Sequence, residues 1–449
     1  MRWRFVRCLP LVALCTLSLG SVHAQQGSRV VQLELGDAVV TGFSGVQAPA
    51  PGTRLPAGKS AADLTFIDPD RPSARVVTLS RPGFVWDGRM FAAPKPFSVF
   101  AKDVGQVFGI ALDDQTPPNI YLAATSQFGL NVVRRSAGGA FDRLKKGAPG
   151  AGWMRGQFGL DLQGGPGAIY KIDGRTGAPT LFANVTLDGS PNPGPALGNL
   201  AFDAARKQIF VSDLYTGMIH RFDLDGRELD RFDHGVNGRP AQRLAPVPFN
   251  PANRPNIGSD RFDVEKPETW GFAVAPRQVW GLAVHQDRLY YSVASGPQVW
   301  SVGLQRDGSF AGDARWELDV PAQAGPLPVS DIAFSQQGMM ILAQRALVAG
   351  AYNYAMLTRP AELQVLRVSL KGPNDPPSPG RWKLVPEEYA VGLAGNHRNT
   401  NGGVALGYGY GPDGALSTAA CESSLWTTGQ NLRSDPAVRS ARQPGRSRA

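Results

Sequence analysis

Short apolar runs recur along the chain between polar, glycine-rich breaks, and one of them repeats in kind five times: Gly109-Ile110-Ala111-Leu112, Asn199-Leu200-Ala201-Phe202, Gly281-Leu282-Ala283-Val284, Asp331-Ile332-Ala333-Phe334 and Gly403-Val404-Ala405-Leu406. Their alanines lie 90, 82, 50 and 72 residues apart. After four of these runs comes a second apolar run, at 119–124, 208–213, 288–293 and 339–344, and then a third, at 168–173, 218–223, 298–303 and 364–369. The stretch 198–233 is the most regular, with runs starting near 198, 208, 218 and 228 and turn residues at Lys207, Thr216-Gly217 and Asp225-Gly226. Such runs, stepped by ten residues with turn chemistry between them, predict four antiparallel strands joined by hairpins. No amphipathic stretch of 12 or more residues supplies crossover helices, which excludes a parallel sheet. Repeated four-stranded sheets predict an all-β fold, a β-propeller of six four-stranded blades, with five or seven as alternatives. The repeated alanine has a steric reading: first strands converge on the axis, where only a small side chain fits between neighbouring blades.

The segment Val211-Ser212-Asp213-Leu214-Tyr215-Thr216-Gly217-Met218-Ile219-His220-Arg221-Phe222-Asp223 resembles the second and third strands of an NHL-type repeat, with a strand-ending Asp, a Gly turn and an Ile-x-Arg-Phe strand in order. The resemblance implies blades over residues 63–432 and says little about activity, because such blades serve binding proteins and enzymes alike. At the N-terminal end, Thr65-Phe66-Ile67-Asp68 and Ala74 to Leu79 flank Pro69-Asp70-Arg71-Pro72 and predict a hairpin. Residues 25–62 are expected to add a ring-closing strand, and the blade from Ala405 onward lacks an obvious outer strand.

The chain ends differ from its body. Residues 1–24 carry Arg2, Arg4 and Arg7, an apolar run over 9–19 and the small-residue ending Val22-His23-Ala24, the layout of a secretory signal peptide cleaved near Ala24. The apolar run is too short to span a bilayer, so a mature protein free of membrane insertion, secreted or periplasmic, is expected. Of the formal charge of +9, those three arginines account for three and residues 433–449, with five Arg against one Asp, for four more, leaving about +2 on the body. No basic run with interleaved aromatics occurs outside that tail, which argues against nucleic acid as a partner. The tail is expected to be disordered. Cys8 and Cys15 leave with the signal, so Cys421 has nothing in the chain to pair with.

Three insertions break the regular spacing, at 125–167, 234–278 and 345–363. The first and third join second to third strands, and the second joins a fourth strand to the next first strand; in an up-and-down blade all three emerge on one rim. Long loops in a compact domain are usually functional or disordered, so this rim is the expected surface for a protein, glycan or small-molecule ligand, with tolerated surface decoration as the alternative. Aromatic and arginine anchors on it, Phe128, Arg134, Arg135, Trp153, Trp270, Tyr352 and Tyr354, are the candidate binding residues. Removing 125–167 is expected to abolish capture of the partner and leave the fold intact.

Catalytic motifs are sparse: there is no Gly-x-Ser-x-Gly elbow, His-Glu-x-x-His pair, phosphate loop or haem-attaching Cys-x-x-Cys-His. His220, His234, His285 and His397 make no i, i+4 metal pair, and packing roles are expected of them. Asp173-Gly174-Arg175-Thr176-Gly177 and Asp223-Leu224-Asp225-Gly226 read as hairpin turns; the former, followed by Leu181-Phe182, is all that suggests a quinone-dependent dehydrogenase. No cofactor is expected for a binding or scaffolding module, the leading reading. The alternative comes from propellers resembling the gluconolactonase and paraoxonase class, which implies a calcium-dependent lactone or ester hydrolase with oxygen ligands converging in the central channel. The comparable residues are Asn199, Asp331 and Asn401. Asn199 and Asp331 stand two before Ala201 and Ala333, whereas that class places its ligand three before the small residue. Strand side chains alternate, so this offset is expected to turn them away from the axis.

Overall fold

The computed structural model describes residues 33–80, 93–160, 163–321, 327–345, 352, 363–377, 380–392, 397–419, 422–429 and 432. The signal segment, Tyr354, Cys421, the tail and most of the third insertion lie outside the described residues. Leu197–Asp203, Gln208–Asp213, Met218–Asp223 and Glu228–Asp233 form an antiparallel sheet whose spatial order equals chain order. Three more sheets are built alike. Val107–Leu112, Ile120–Ala124, Ala168–Ile172 and Pro179–Asn184 precede it. Val279–His285, Arg288–Val293, Gln298–Gly303 and Arg315–Asp319, then Val329–Phe334, Met340–Gln344, Val365–Leu370 and Trp382–Tyr389, follow it. In chain order these are the first to fourth sheets. Helices among the described residues are single short turns such as Ala101–Val104. The fold is all-β, a β-propeller.

Alternation explains how one sheet feeds two cores. On Gln208–Asp213, Ile209 and Val211 pack with Tyr121 and Ile169 of the first sheet, while Phe210 packs with Leu282 and Tyr291 of the third. A middle strand buried on both faces has no polar side, which is why it reads as a continuous apolar run. Four of the five repeated alanines lie between sheets as expected: Ala111 against Leu197 and Leu200, Ala201 against Val279 and Leu282, Ala283 against Val329 and Ile332, Ala333 against Val404 and Leu406. Ala405 departs from this, exposed on the cavity wall because no further first strand among the described residues packs over it. The closest approach falls on the glycines beside them. A Cβ on Gly109 would sit 2.7 Å from the Gly198 carbonyl oxygen, and one on Gly281 3.0 Å from that of Val329. Serines of second strands bolt the hub: Ser212 Oγ accepts from Asn199 N at 2.9 Å and donates to the Trp280 carbonyl of the next sheet at 2.7 Å, and Ser292 repeats this between Gly281 and Val329.

The N-terminal pairing differs from the predicted hairpin. Phe66–Ile67 pairs with Val46–Gln47, whereas Pro72–Thr78 lies between Asp37–Thr41 and Phe97–Phe100. Asp37–Thr41 matches Ala74–Thr78 over five consecutive residues, a longer ladder than the turn at 69–71 would permit, and Asp68 is diverted to accept from Asp70 N and Gln47 Nε2. This three-stranded sheet packs through Ala74, Val76 and Val99 on Val104, Val107 and Leu122. At the other end Thr400–Gly407 pairs with Ser424–Gly429 and covers the fourth sheet. The two ends of the chain are tied by Tyr410 Oη to the Leu79 carbonyl at 2.8 Å and Leu416 N to the Ser80 carbonyl at 3.0 Å.

The insertions are structural, which overturns the expectation that residues 125–167 are dispensable. Leu130, Val132 and Phe158 of the first insertion share a core with Phe262, Val264 and Trp270 of the second, Tyr352 of the third, and Val107 and Ile120 of the first sheet. Backbone bonds join the first two directly, Gly147 N to the Phe262 carbonyl at 2.8 Å and Val264 N to the Lys145 carbonyl at 2.7 Å. Arg143, 4% exposed, ties three segments at once: it donates to the carbonyls of Ala62, Thr65 and Tyr352 and to Asn131 Oδ1, with its guanidinium 4.3 Å from the Tyr352 ring. The first two excursions and Tyr352 of the third therefore meet in one core, in keeping with their positions in the repeat.

Candidate functional site: an axial cavity beneath the insertions

Each of the five first strands departs from regular pairing near its start, at 107–110, 197–200, 279–282, 329–331 and 400–404. A bulge adds a residue and shifts the phase of alternation. This corrects the expectation that Asn199 and Asp331 turn away from the axis. Asn199 Nδ2 donates to Asp331 Oδ1 at 2.8 Å and to the Ser330 carbonyl at 3.1 Å, a bridge between the second and fourth sheets, which are not neighbours. Asp331 Oδ1 also accepts from Ile332 N at 3.0 Å, and its Oδ2 from Val404 N at 2.9 Å.

Asn199, Asp331 and Asn401 line one cavity of about 500 Å³. Its walls come from the N-terminal sheet (Thr41, Val77, Leu79), the first strand of the first sheet (Phe108, Ile110), the starts of the first and third insertions (Phe128, Arg345) and the C-terminal pair (Val404, Trp426, Thr428). A mainly apolar cavity of this size with a few convergent polar groups is the usual form of a small-molecule site. Arg345 is 4% exposed, and its guanidinium lies 4.9 Å from the Phe128 ring and 5.7 Å from that of Phe108. Nη1 donates to the Asn401 carbonyl at 2.8 Å. Burial pushes Arg345 down to about 10, still cationic at neutral pH, and pushes the Asp331 carboxyl up to about 6.

The predicted binding residues separate by place. Phe128 lines the cavity and stacks on Phe43 at 5.9 Å. Trp153, half-buried, stands edge-on to Phe158 at 5.1 Å. Trp270, 1% exposed, sits in the core with its indole N–H on the Asp263 carbonyl, and the Tyr352 ring is held between Arg143 and Lys145. Neither buried ring offers a face to a ligand, because both fill the core that joins the insertions. Arg134 and Arg135 are exposed at the end of Val132–Arg135, away from the cavity walls. Arg345, Phe108 and Trp426 were not singled out by the sequence pattern; the one signal for Arg345 is a charge placed directly after the apolar run 339–344.

The donor set does not fit calcium. Among the described residues no three His, Cys, Asp or Glu side chains are grouped to hold a metal. The one carboxylate here already accepts three hydrogen bonds, Asn199 Oδ1 accepts from Leu200 N, and the Arg345 cation shares the cavity. A hard divalent ion wants several free oxygens and net negative charge. Three of the four histidines are packing groups: His234, pushed down to about 3 by burial, lies 3.0 Å from Tyr291 Oη, His220 is 2.8 Å from Glu228, and His285 stacks on Phe334 at 4.3 Å. His397 is exposed, with Nδ1 at 2.8 Å from the Gly392 carbonyl. Asp173 and Asp223 cap hairpin turns through backbone N–H groups.

No family model and no curated protein matches the chain. Solved structures similar to it include a protein from Lactobacillus plantarum (13% identity, 83% of this chain and 86% of that one, TM-score 0.36). They also include the periplasmic gluconolactonase of Pseudomonas aeruginosa (12%, 80% and 86%, 0.33) and the calcium-binding protein regucalcin from Agrobacterium tumefaciens (12%, 60% and 72%, 0.30). At such identities the likeness concerns the fold alone.

Proposed function

We propose that this chain is an exported six-bladed propeller that binds a small molecule in its axial cavity, with the three insertions forming a fixed rim around the mouth. The blade count takes the three-stranded N-terminal sheet and the C-terminal pair as one blade each. The observation that carries the reading is the convergence of Asn199, Asp331, Asn401 and Arg345 from separate parts of the ring on one apolar-walled cavity. The interlocked insertions favour a small ligand over a macromolecule, since Trp270 and Tyr352 are buried in the core that they share. Export rests on the layout of residues 1–24 and is checked by N-terminal sequencing of protein recovered from the periplasm or medium.

Ile110 lines the cavity, and Ile110→Trp fills it. A metabolite screen by thermal shift is expected to yield ligands that raise the melting temperature of the wild type and fail on this variant. Ligands that act equally on both place binding elsewhere and end the reading. A lactone and ester screen with metal analysis of the purified protein addresses the hydrolase alternative, which is not favoured by a donor set lacking free carboxylate oxygens.

A further inference from the structure

We infer that the cavity takes a monocarboxylate with an apolar body, and that Arg345 is the group that recognises its carboxylate. The inference rests on the cavity being a ligand site, as proposed above, and adds the chemical class. Arg345 has no ion pair among the described residues; its one hydrogen bond there goes to the neutral carbonyl of Asn401, and its Nε has no partner. Burying a guanidinium without a counter-ion is costly, and every other deeply buried arginine near the rim is differently served: Arg277 pairs with Asp233 at 2.8 Å, and Arg143 donates to three carbonyls and an amide. Phe108 and Phe128 flank the guanidinium. With Nη1 on the Asn401 carbonyl and Nε buried without a partner, Nη2 is left with no acceptor among the described residues, and an anionic carboxylate oxygen is the acceptor that an uncompensated guanidinium favours.

The rest of the cavity narrows the class. Its walls are dominated by Val77, Leu79, Ile110, Val404 and Trp426, which suit a hydrocarbon or aromatic body. Asp331 faces the same space, so a second anionic group on the ligand would meet a carboxylate. A polyanion such as a sugar phosphate is disfavoured on both counts.

The test uses the mature full chain with 4-phenylbutyrate and its neutral amide, 4-phenylbutyramide, titrated by calorimetry and by fluorescence. Trp426 lies in the wall, and Trp426→Phe identifies its share of the signal. The acid is expected to bind at least tenfold more tightly than the amide; Arg345→Met removes that preference while amide binding persists, which also reports an intact cavity. Should Arg345→Met fail to fold, Arg345→Lys is expected to weaken the acid about tenfold and leave the amide unchanged. Equal affinity of acid and amide in the wild type, or a preference that survives both substitutions, overturns the carboxylate assignment and leaves the cavity reading standing. Binding of neither probe overturns the assignment, and only a failed Ile110→Trp comparison removes the cavity as well.

Discussion

Asp331 joins three sheets through one carboxylate, taking donors from Asn199, Ile332 and Val404, yet burial outweighs those bonds and raises it from 3.8 to about 6. Between these two values the folded protein holds a proton that the unfolded chain has released, so stability falls as pH rises. The contribution is full below about pH 4 and lost above about pH 6. The shift corresponds to about 3 kcal/mol. Asp331→Asn is expected to flatten this part of the profile, and the readout is the difference between wild-type and variant urea unfolding free energies at pH 4 and pH 7, which should change by about that amount. Asn also misplaces an N–H among donors, an offset that is independent of pH and leaves the slope interpretable. An identical slope in both proteins would remove Asp331 as its source.

At the scale of the strand, the repeat is held by close approach of backbone and by second-strand serines. Gly109→Ala forces a Cβ to 2.7 Å from a carbonyl oxygen of the next sheet, where backbone on both sides limits relaxation; overpacking of this kind costs about 1–3 kcal/mol. Ser212→Ala removes the acceptor for Asn199 N and the donor to the Trp280 carbonyl, both buried, and is expected to cost about 1–3 kcal/mol. Chemical denaturation of each variant checks both values, and a change under half a kcal/mol in either would show that the neighbouring sheets are less tightly coupled than these contacts require. The strands themselves were legible because middle strands buried on both faces must be apolar throughout. The phase of the first strands was not: strict alternation from Ala201 or Ala333 turns Asn199 and Asp331 outward, and the bulges that reverse this are set by pairing with the second strand and leave no mark in the residue pattern.

For the whole molecule, the rim behaves as part of the core. Deleting 125–167 removes Leu130, Val132 and Phe158 from a cluster shared with the first sheet and both other insertions, and the expected product is unfolded or insoluble. Solubility and a native circular dichroism spectrum after that deletion would contradict the packing described. A finer probe is Arg143→Met: it strands the carbonyls of Ala62, Thr65 and Tyr352, for an expected loss of about 3 kcal/mol, checked by chemical denaturation.

What the linear order of residues determined by itself is the class of fold, the sequence of strands within each sheet and the side on which the insertions emerge, because hairpin length, alternation and turn residues act between near neighbours. The pairing of the N-terminal strands, the burial of Trp270 and Tyr352, and the meeting of Asn199, Asp331, Asn401 and Arg345 in one cavity were decided only by closing the chain into a ring. Many of these contacts join residues far apart in the chain, 132 positions for Asn199 and Asp331 and 209 for Arg143 and Tyr352, and choosing among such partners depends on which apolar faces and buried polar groups the complete assembly leaves to be matched.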